Sequence, residues 1–242
     1  MKPLLRWLLL VLVTALALQL FLLLRIAAMA TVAPESTAFE RSEAWRLANR
    51  PTTLRWRQQW VDYDAISDHL KRAVIASEDD SFSWHEGVDW EALEQAWQRN
   101  ARAEAQADKS AARGRAPKRI KIVGGSTITQ QLAKNLLLSG ERTMLRKAQE
   151  FVLTMMLELL LDKRRILEIY LNHVEWGEGV FGAEAAARHY FGKPAARLTP
   201  HEAARLAVML PRPKYYEKRG DSAYLAERSA VIVERLRHAE LP

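Results

Sequence analysis

A long apolar segment near the N-terminus constrains this chain more than any other feature. Residues 7–24 are apolar except for Thr14 and Gln19, and a helix of roughly 18 such residues just spans the hydrocarbon core of a bilayer. Lys2 and Arg6 precede the segment. The positive-inside rule therefore predicts a cytoplasmic N-terminus and an exported remainder.

A cleaved signal peptide is the alternative interpretation of this segment, because residues 28–30 read Ala-Met-Ala and offer a small-residue cleavage site. The apolar stretch exceeds the roughly 7 to 15 residues usual in a signal peptide, which favours an uncleaved anchor. We expect residues 1–26 to form a cytoplasmic tip and transmembrane anchor, residues 27–58 a juxtamembrane connector, and residues 59–242 a single domain.

The amino-acid composition excludes several classes of function. The chain has no cysteine, which excludes disulfides, Cys-ligated zinc and thiol catalysis. Its net charge is +7, but export by the anchor argues against a nucleic-acid partner. Basic residues are dense between 99 and 121, where Gly114 and Pro117 predict a mobile basic loop. That loop is either a solvated linker or a surface for anionic lipid or substrate phosphate.

Apolar periodicity predicts helices through most of the remaining chain. Residues 66–78 form one apolar stripe with Ser67 or Asp64 as the cap, and Asp89 precedes a second run. Residues 143–172 indicate two helices joined by a turn or kink. Because strand-like alternation of useful length is absent from the sequence, we expect a mainly α fold.

The run GGSTITQQLAKN at residues 124–135 indicates a ligand-binding turn that opens a helix. Two glycines let the backbone approach a bulky ligand, and the Ser-Thr pair can cap the helix, whose N-terminal amides attract anions. Helical spacing places Thr127, Gln131 and Lys134 on one face, with Gln130 beside them. Amides suit sugar hydroxyls and acetamido groups, and Lys134 suits phosphate. An ordinary capped surface helix is the alternative.

Five segments, in order, resemble the signature motifs of the peptidoglycan glycosyltransferases, family 51, and most strongly those of its monofunctional, membrane-anchored branch. The first motif reads EDDSFSWHEG and the third RKAQE. The five segments lie at residues 78–87, 124–135, 146–150, 165–172 and 198–211.

This resemblance implies a lysozyme-like helical domain that polymerises lipid II into linear glycan strands. The donor would be the growing chain on polyprenyl pyrophosphate, and direct displacement would invert its α linkage to a β-1,4 bond. The resemblance also implies Mg²⁺ or Mn²⁺ as cofactor, a location in the bacterial inner membrane with a periplasmic catalytic domain, and partners among cell-wall synthesis or division proteins.

The resemblance implies two catalytic glutamates. Glu78 would take the proton from the acceptor's 4-hydroxyl, and its place at a predicted helix C-terminus, together with desolvation, should raise its pKa. Glu150 would lie near the donor phosphates, where it orients cations or, as a weak candidate, holds the metal; an exposed salt-bridged helix is the alternative. The residues expected to bind substrate are Asp79, Ser126, Thr127, Gln130, Gln131, Lys134, Asn135, Arg142, Arg146 and Lys147.

Other motif residues are expected to be structural. Tyr170 fits a core-facing stripe, Asn172 fits a helix end, and a histidine beside a glycine turn, such as His85, is usually a satisfied structural group.

Two other classes of protein also fit part of the pattern. A lytic enzyme of similar fold would use a cleft glutamate, but it has no evident need for an anchor or for the cations at residues 142–147. A non-catalytic membrane scaffold would leave the Glu78 and Glu150 motifs unexplained. Transpeptidase activity is not expected, because the Ser-x-x-Lys and Lys-Thr-Gly signatures are absent and the length leaves no room for such a domain.

Overall fold

A computed structural model describes residues 3–50, 55–112, 124–138, 140–141, 143–220 and 222–242. In this part of the chain the helices are α1 Pro3–Ala28, α2 Ala38–Ala48, α3 Asp68–Glu78, α4 Trp90–Ala112, α5 Ile128–Leu137, α6 Met144–Leu160, α7 Lys163–His173, α8 Ala183–Phe191, α9 Pro200–Met209, α10 Pro213–Arg219 and α11 Ala223–Arg235. The strands are β1 Arg57–Gln58, β2 Glu175–Gly177 and β3 Val180–Phe181. The mainly helical prediction, with one N-terminal apolar helix, is confirmed.

The three strands form one small sheet in which β3 pairs in parallel with β1 and antiparallel with β2. Sequence reasoning missed the sheet because strands of two or three residues are too short to show alternation. Since β1 lies within the expected connector, that segment contributes backbone hydrogen bonds to the domain. The domain boundaries at residues 26 and 58 stay predictions.

Capping side chains begin the helices that position the site. Ser67 Oγ accepts from the backbone amide of His69 at 3.2 Å, and Asp89 Oδ1 accepts from that of Ala92 at 2.7 Å. Thr127 caps α5 in a capping box with Gln130. The caps predicted for α3 and α4 are thus confirmed, and of the two candidates for α5 the structure selects Thr127.

The predicted loop across residues 99–121 is wrong in its first part. Residues 99–112 continue α4, and residues 113–121 lie outside the described residues. The helical part is rich in alanine, which has the highest helix propensity. Gly114 and Pro117, which suggested a loop, lie beyond it.

The core brings the site elements together. Helices α3, α9 and α11 pack on one another, while α5 packs between α6, α7 and α2. The largest fully buried side chains include Tyr170, Phe82 and Trp176. This packing brings the C-terminal end of α3 against the N-terminal end of α5.

Helix α1 is long and apolar enough to cross a membrane, with a mean hydropathy of 2.6 over its most apolar window. Most of its side chains are exposed, but Ile26 is fully buried and Met29, just after the helix, joins the same core. Arg165 Nε also donates to the backbone carbonyl of Met29 at 2.7 Å. The C-terminal end of α1 is therefore fixed to the domain.

Candidate active site

Glu78 is the last residue of α3 and is only partly exposed. Its Oε2 accepts a 3.0 Å hydrogen bond from Gln131 Nε2, and Gln131 Oε1 accepts a 3.0 Å hydrogen bond from the Tyr170 hydroxyl. Because Tyr170 donates to the amide oxygen, the amide nitrogen of Gln131 faces Glu78. Tyr170, expected to be only structural, thus orients the group that holds the candidate base.

Burial raises the pKa of Glu78, and the neighbouring carboxylate of Asp79 acts in the same direction. The hydrogen bond from Gln131 and the charge of Lys134 oppose this rise. The net direction is upward, as expected from the sequence. A carboxylate with a raised pKa is a stronger base near neutral pH.

Asp79 is buried and fully engaged by protein groups. Its Oδ2 accepts from the backbone amide of Ile128 at 2.8 Å, and His85 Nε2 lies 2.9 Å from Oδ1. The backbone amide of Gly87 donates to His85 Nδ1 at 3.0 Å, which leaves Nε2 as the protonated nitrogen that donates to Asp79. These contacts fasten α3 to α5 and agree with a structural role for His85. Substrate binding by Asp79 stays a prediction.

Gly87 adopts a φ of +84°, and an added Cβ would lie 2.8 Å from Cγ2 of Thr154. Only glycine fits this position without strain. Its carbonyl accepts a 2.6 Å hydrogen bond from the hydroxyl of Thr127. The side chains of Thr127 and Gln130, both expected to bind substrate, are buried and hold the start of α5. Their roles toward substrate stay predictions.

Two grooves meet near Glu78. The basic groove, of about 660 Å³, is lined by four of the expected substrate-binding residues: Gln131, Lys134, Asn135 and Arg146. The glycine groove, of about 350 Å³, is lined by Gly124 and Gly125 together with four expected site residues: Glu78, Asp79, Ser126 and Thr127. Since Glu78 lines one groove and its partner Gln131 lines the other, the carboxylate lies at their junction.

Glu150 is surrounded by cations on α6. Arg146 Nη1 donates to its Oε2 at 2.8 Å, and Lys147 contacts its Oε1. Glu150 is only 3% exposed, so the alternative of an exposed salt-bridged helix does not describe it. Lys134 remains solvent-accessible, but partial burial by the surrounding protein lowers its pKa. The nearby charges of Arg146 and Lys147 lower the pKa further, whereas the charge of Glu150 raises it. Arg142 lies outside the described residues.

The arrangement around Glu150 does not fit a resident metal ion. Both of its carboxylate oxygens already contact cationic side chains. Among the described residues, no group of three or more His, Cys, Asp or Glu side chains is placed to hold a metal. The described residues therefore offer no ligand set of three or more such side chains, and the divalent cation stays a prediction.

Sequence reasoning missed Glu175, the first residue of β2, which lines the basic groove. Burial raises its pKa to about 7, although Lys214 Nζ lies 2.9 Å from its Oε1 and acts in the opposite direction. The only sequence signal was an acidic residue soon after the fourth motif. Nothing local predicts that it is buried in a groove wall.

A helical domain with a carboxylate at the junction of two grooves, both of which carry cationic side chains, is a suitable site for transferring a group that carries phosphate. A family model described as transglycosylase matches residues 47–237, and the chain belongs to that family. The motif resemblance seen in the sequence is thereby confirmed.

Named relatives agree with this assignment. The chain is 53% identical to a biosynthetic peptidoglycan transglycosylase of Burkholderia orbicola (strain MC0-3) over 227 residues, which cover 94% of this chain and 86% of the relative. It is 49% identical to a protein of the same name from Herminiimonas arsenicoxydans, with 100% of this chain and 99% of the relative covered.

Proposed function

We propose that this protein polymerises lipid II into linear peptidoglycan strands by inverting glycosyl transfer, with release of polyprenyl pyrophosphate and without transpeptidase activity. The observation that carries the proposal is the position of Glu78 between the two grooves, in a chain of the transglycosylase family. The glycine groove receives the acceptor sugar, and the basic groove receives the donor with its pyrophosphate.

Glu78 is the general base. Its carboxylate takes the proton from the acceptor 4-hydroxyl while that oxygen attacks the anomeric carbon of the donor. The bond from this carbon to the pyrophosphate oxygen breaks with its electron pair, which leaves on the pyrophosphate. One displacement from the opposite face converts the α linkage to a β-1,4 bond, so no glycosyl-enzyme intermediate is needed. Gln131 and Tyr170 hold the base in position.

The cations of the basic groove stabilise the leaving group. Pyrophosphate already leaves readily, so the protein mainly neutralises the negative charge that develops on it. Lys134 and Arg146 line this groove, and Lys147 lies beside it on α6. Glu150 keeps the two α6 cations in place between turnovers. Its role is electrostatic positioning, without covalent chemistry.

The anchor confines the enzyme to the surface that carries its substrate. Helix α1 fits a single-pass anchor by length and hydropathy, and Lys2 and Arg6, which precede its apolar segment, orient the N-terminus to the cytoplasm. We place the protein in the inner membrane with its catalytic domain in the periplasm. Confinement of enzyme and lipid-linked substrate to one membrane raises their effective concentration.

Incubation of the purified full chain with labelled lipid II, followed by sizing of the products, tests this function. We expect linear polymer that is not crosslinked, inhibition by the donor mimic moenomycin, and no inhibition by penicillin. A lytic enzyme would instead shorten preformed glycan strands. Absence of polymer under conditions in which a known family member makes it would overturn the proposal.

A further inference from the structure

Helices α1 and α6 are joined by a reciprocal pair of side-chain hydrogen bonds. Gln19 Nε2 donates to Gln149 Oε1 at 2.9 Å, and Gln149 Nε2 donates to Gln19 Oε1 at 3.1 Å. Each amide thus supplies both a donor and an acceptor to the other. Gln19 is one of only two polar residues within the apolar segment 7–24.

The apolar surroundings of Gln19 favour a single docked arrangement of α1 on α6. An amide in an apolar environment is costly unless it is hydrogen-bonded, so polar side chains in membrane helices favour the one arrangement that pairs them. The contact between α1 and the domain continues through Ile26 and Met29, which are buried in the core. Gln19 extends the docked part of α1 by seven residues, or about 10 Å at 1.5 Å per residue.

The pair also sets the depth of α6 relative to the apolar segment of α1. Gln19 precedes the end of the apolar segment at Leu24 by five residues, or about 7.5 Å along the helix axis. Its partner Gln149 is adjacent in sequence to Glu150, whose carboxylate is held by Arg146 and Lys147. These cations therefore lie near the C-terminal end of the apolar segment rather than far above it. At the start of α6, Met144 and Leu145 are 87% and 82% exposed.

We propose that the Gln19–Gln149 pair fixes the height of the cation cluster Arg146–Lys147–Glu150 at the membrane surface. At that height, the phosphates of a membrane-borne substrate reach the basic groove while the lipid chain stays in the bilayer. Gln19 and Gln149 touch no reacting atoms, and they act as positioning residues. The substrate in this inference rests on the proposed function, whereas the docking of α1 on α6 does not.

Cysteine crosslinking tests the docking directly, because the chain has no native cysteine. The full-length variant Gln19→Cys/Gln149→Cys, in vesicles of phosphatidylethanolamine and phosphatidylglycerol, is treated with a short, reducible bis-methanethiosulfonate reagent. The matched control is Leu20→Cys/Gln149→Cys, since Leu20 is exposed on α1. We expect rapid crosslinking in the first variant and little in the control. Equal rates in both would overturn the docking.

A nitroxide label on Met144→Cys tests the depth without any assay of activity. The label should lie at one defined depth in the same vesicles, as measured by oxygen and aqueous-quencher accessibility. Gln19→Leu should make this depth shallower or broader. Thr14→Leu removes a polar group whose hydroxyl bonds within α1, so it should leave the depth unchanged. An unchanged depth in Gln19→Leu would overturn the positioning role, whether or not the protein polymerises lipid II.

Initial rates then connect the contact to turnover. Gln19→Leu and Gln149→Leu should each slow polymerisation in bilayers by roughly threefold to twentyfold, the factor by which loss of one interhelical hydrogen bond in a membrane shifts a docking equilibrium. In detergent the loss should be smaller. Crosslinking of the double-cysteine variant should restore the bilayer rate, and reductant should reverse the gain. Parent-like rates in both leucine variants would contradict the inference, whereas an inactive parent would contradict only the proposed function.

Discussion

Gln131 donates a 3.0 Å hydrogen bond from its side-chain nitrogen to Oε2 of Glu78. This contact holds the carboxylate at the junction of the two grooves and still leaves Oε1 for a substrate proton. It also lowers the pKa of Glu78 against the larger upward effect of burial. The candidate base is thus held in place while its pKa stays raised.

Replacement of Glu78 by glutamine should abolish general-base catalysis while the size of the side chain is kept. Turnover should fall by about 10²–10⁴-fold, and affinity for a donor mimic should stay close to that of the parent. The matched control is Glu86→Gln, an exposed glutamate of the same motif. Steady-state rates measure the loss of turnover, and moenomycin binding measures the affinity for the donor mimic. Near-normal turnover of Glu78→Gln would refute the assignment of the base.

Removal of the Tyr170 hydroxyl should misorient Gln131. In Tyr170→Phe the amide oxygen loses its buried donor and the amide is free to rotate, so we expect kcat to fall about tenfold and stability to fall by about 1 kcal/mol. KM should change little, since Tyr170 does not line either groove. Tyr215→Phe, on an exposed side chain, is the control. A loss of stability with unchanged kcat would indicate a purely structural role.

Glu175 should give the protein a pH-dependent stability. Its folded pKa is about 7 against an ordinary value of 4.5, so the folded state binds the proton more tightly than the unfolded state. The favourable contribution of protonated Glu175 to the free energy of unfolding is fully present below pH 4.5 and is lost as pH rises toward 7.

Glu175→Gln removes this titration. Its stability relative to the parent should therefore increase between pH 5 and 8, by up to about 3 kcal/mol. Denaturation at a series of pH values measures the difference, with Glu141→Gln, an exposed residue of the same groove, as control. A difference that is independent of pH would show that the pKa of Glu175 is not raised.

The metal expectation can be separated from Glu150. Because Arg146 and Lys147 already occupy both oxygens of this carboxylate, Glu150→Gln should lower stability by about 2–3 kcal/mol through the cations left without a partner. The Mg²⁺ or Mn²⁺ concentration for half-maximal activity, measured after chelation with EDTA, should match that of the parent. A large increase in this concentration would identify Glu150 as a metal ligand.

Local signals predicted several of the helices and the position of Glu78 at a helix end. Ser67 and Asp89 mark helix starts through their own side chains, and the place of Glu78 at a helix end follows from the same periodicity. Gln131 was predicted to face a ligand, but its link to Tyr170 depends on the packing of α5 on α7, which joins residues 39 positions apart. No local pattern encodes that contact.

Other parts were missed for different reasons. The burial of Glu175 follows from a sheet whose strands are too short to recognise in sequence. The extension of α4 was missed because charge density was given more weight than the helix propensity of its alanine-rich sequence. The docking of α1 on α6 was missed because Gln19 was taken only as an interruption of an apolar segment. Its partner becomes apparent only when α6 is in place.

The contacts at the C-terminal end of α1 bear on where the mature N-terminus lies. Cleavage after Ala30 would remove Ile26 and Met29 from the core and would leave Arg165 without the carbonyl that it contacts at 2.7 Å. Burial of each of these apolar side chains contributes about 1.5–3 kcal/mol, so the docked end of α1 is part of the folded domain. We therefore expect intact-mass spectrometry of the membrane fraction to show a protein that retains residues 1–26.

A chain lacking residues 1–26 should accordingly be less stable than the full chain, and its activity should fall more in bilayers than in detergent, where confinement to a membrane is lost for both forms. Unfolding curves and polymerisation rates of the two chains measure these effects. A mature N-terminus at Thr31 would establish signal cleavage instead. It would also show that the domain folds without the contacts of α1, since Ile26 and Met29 would then be absent from the working enzyme.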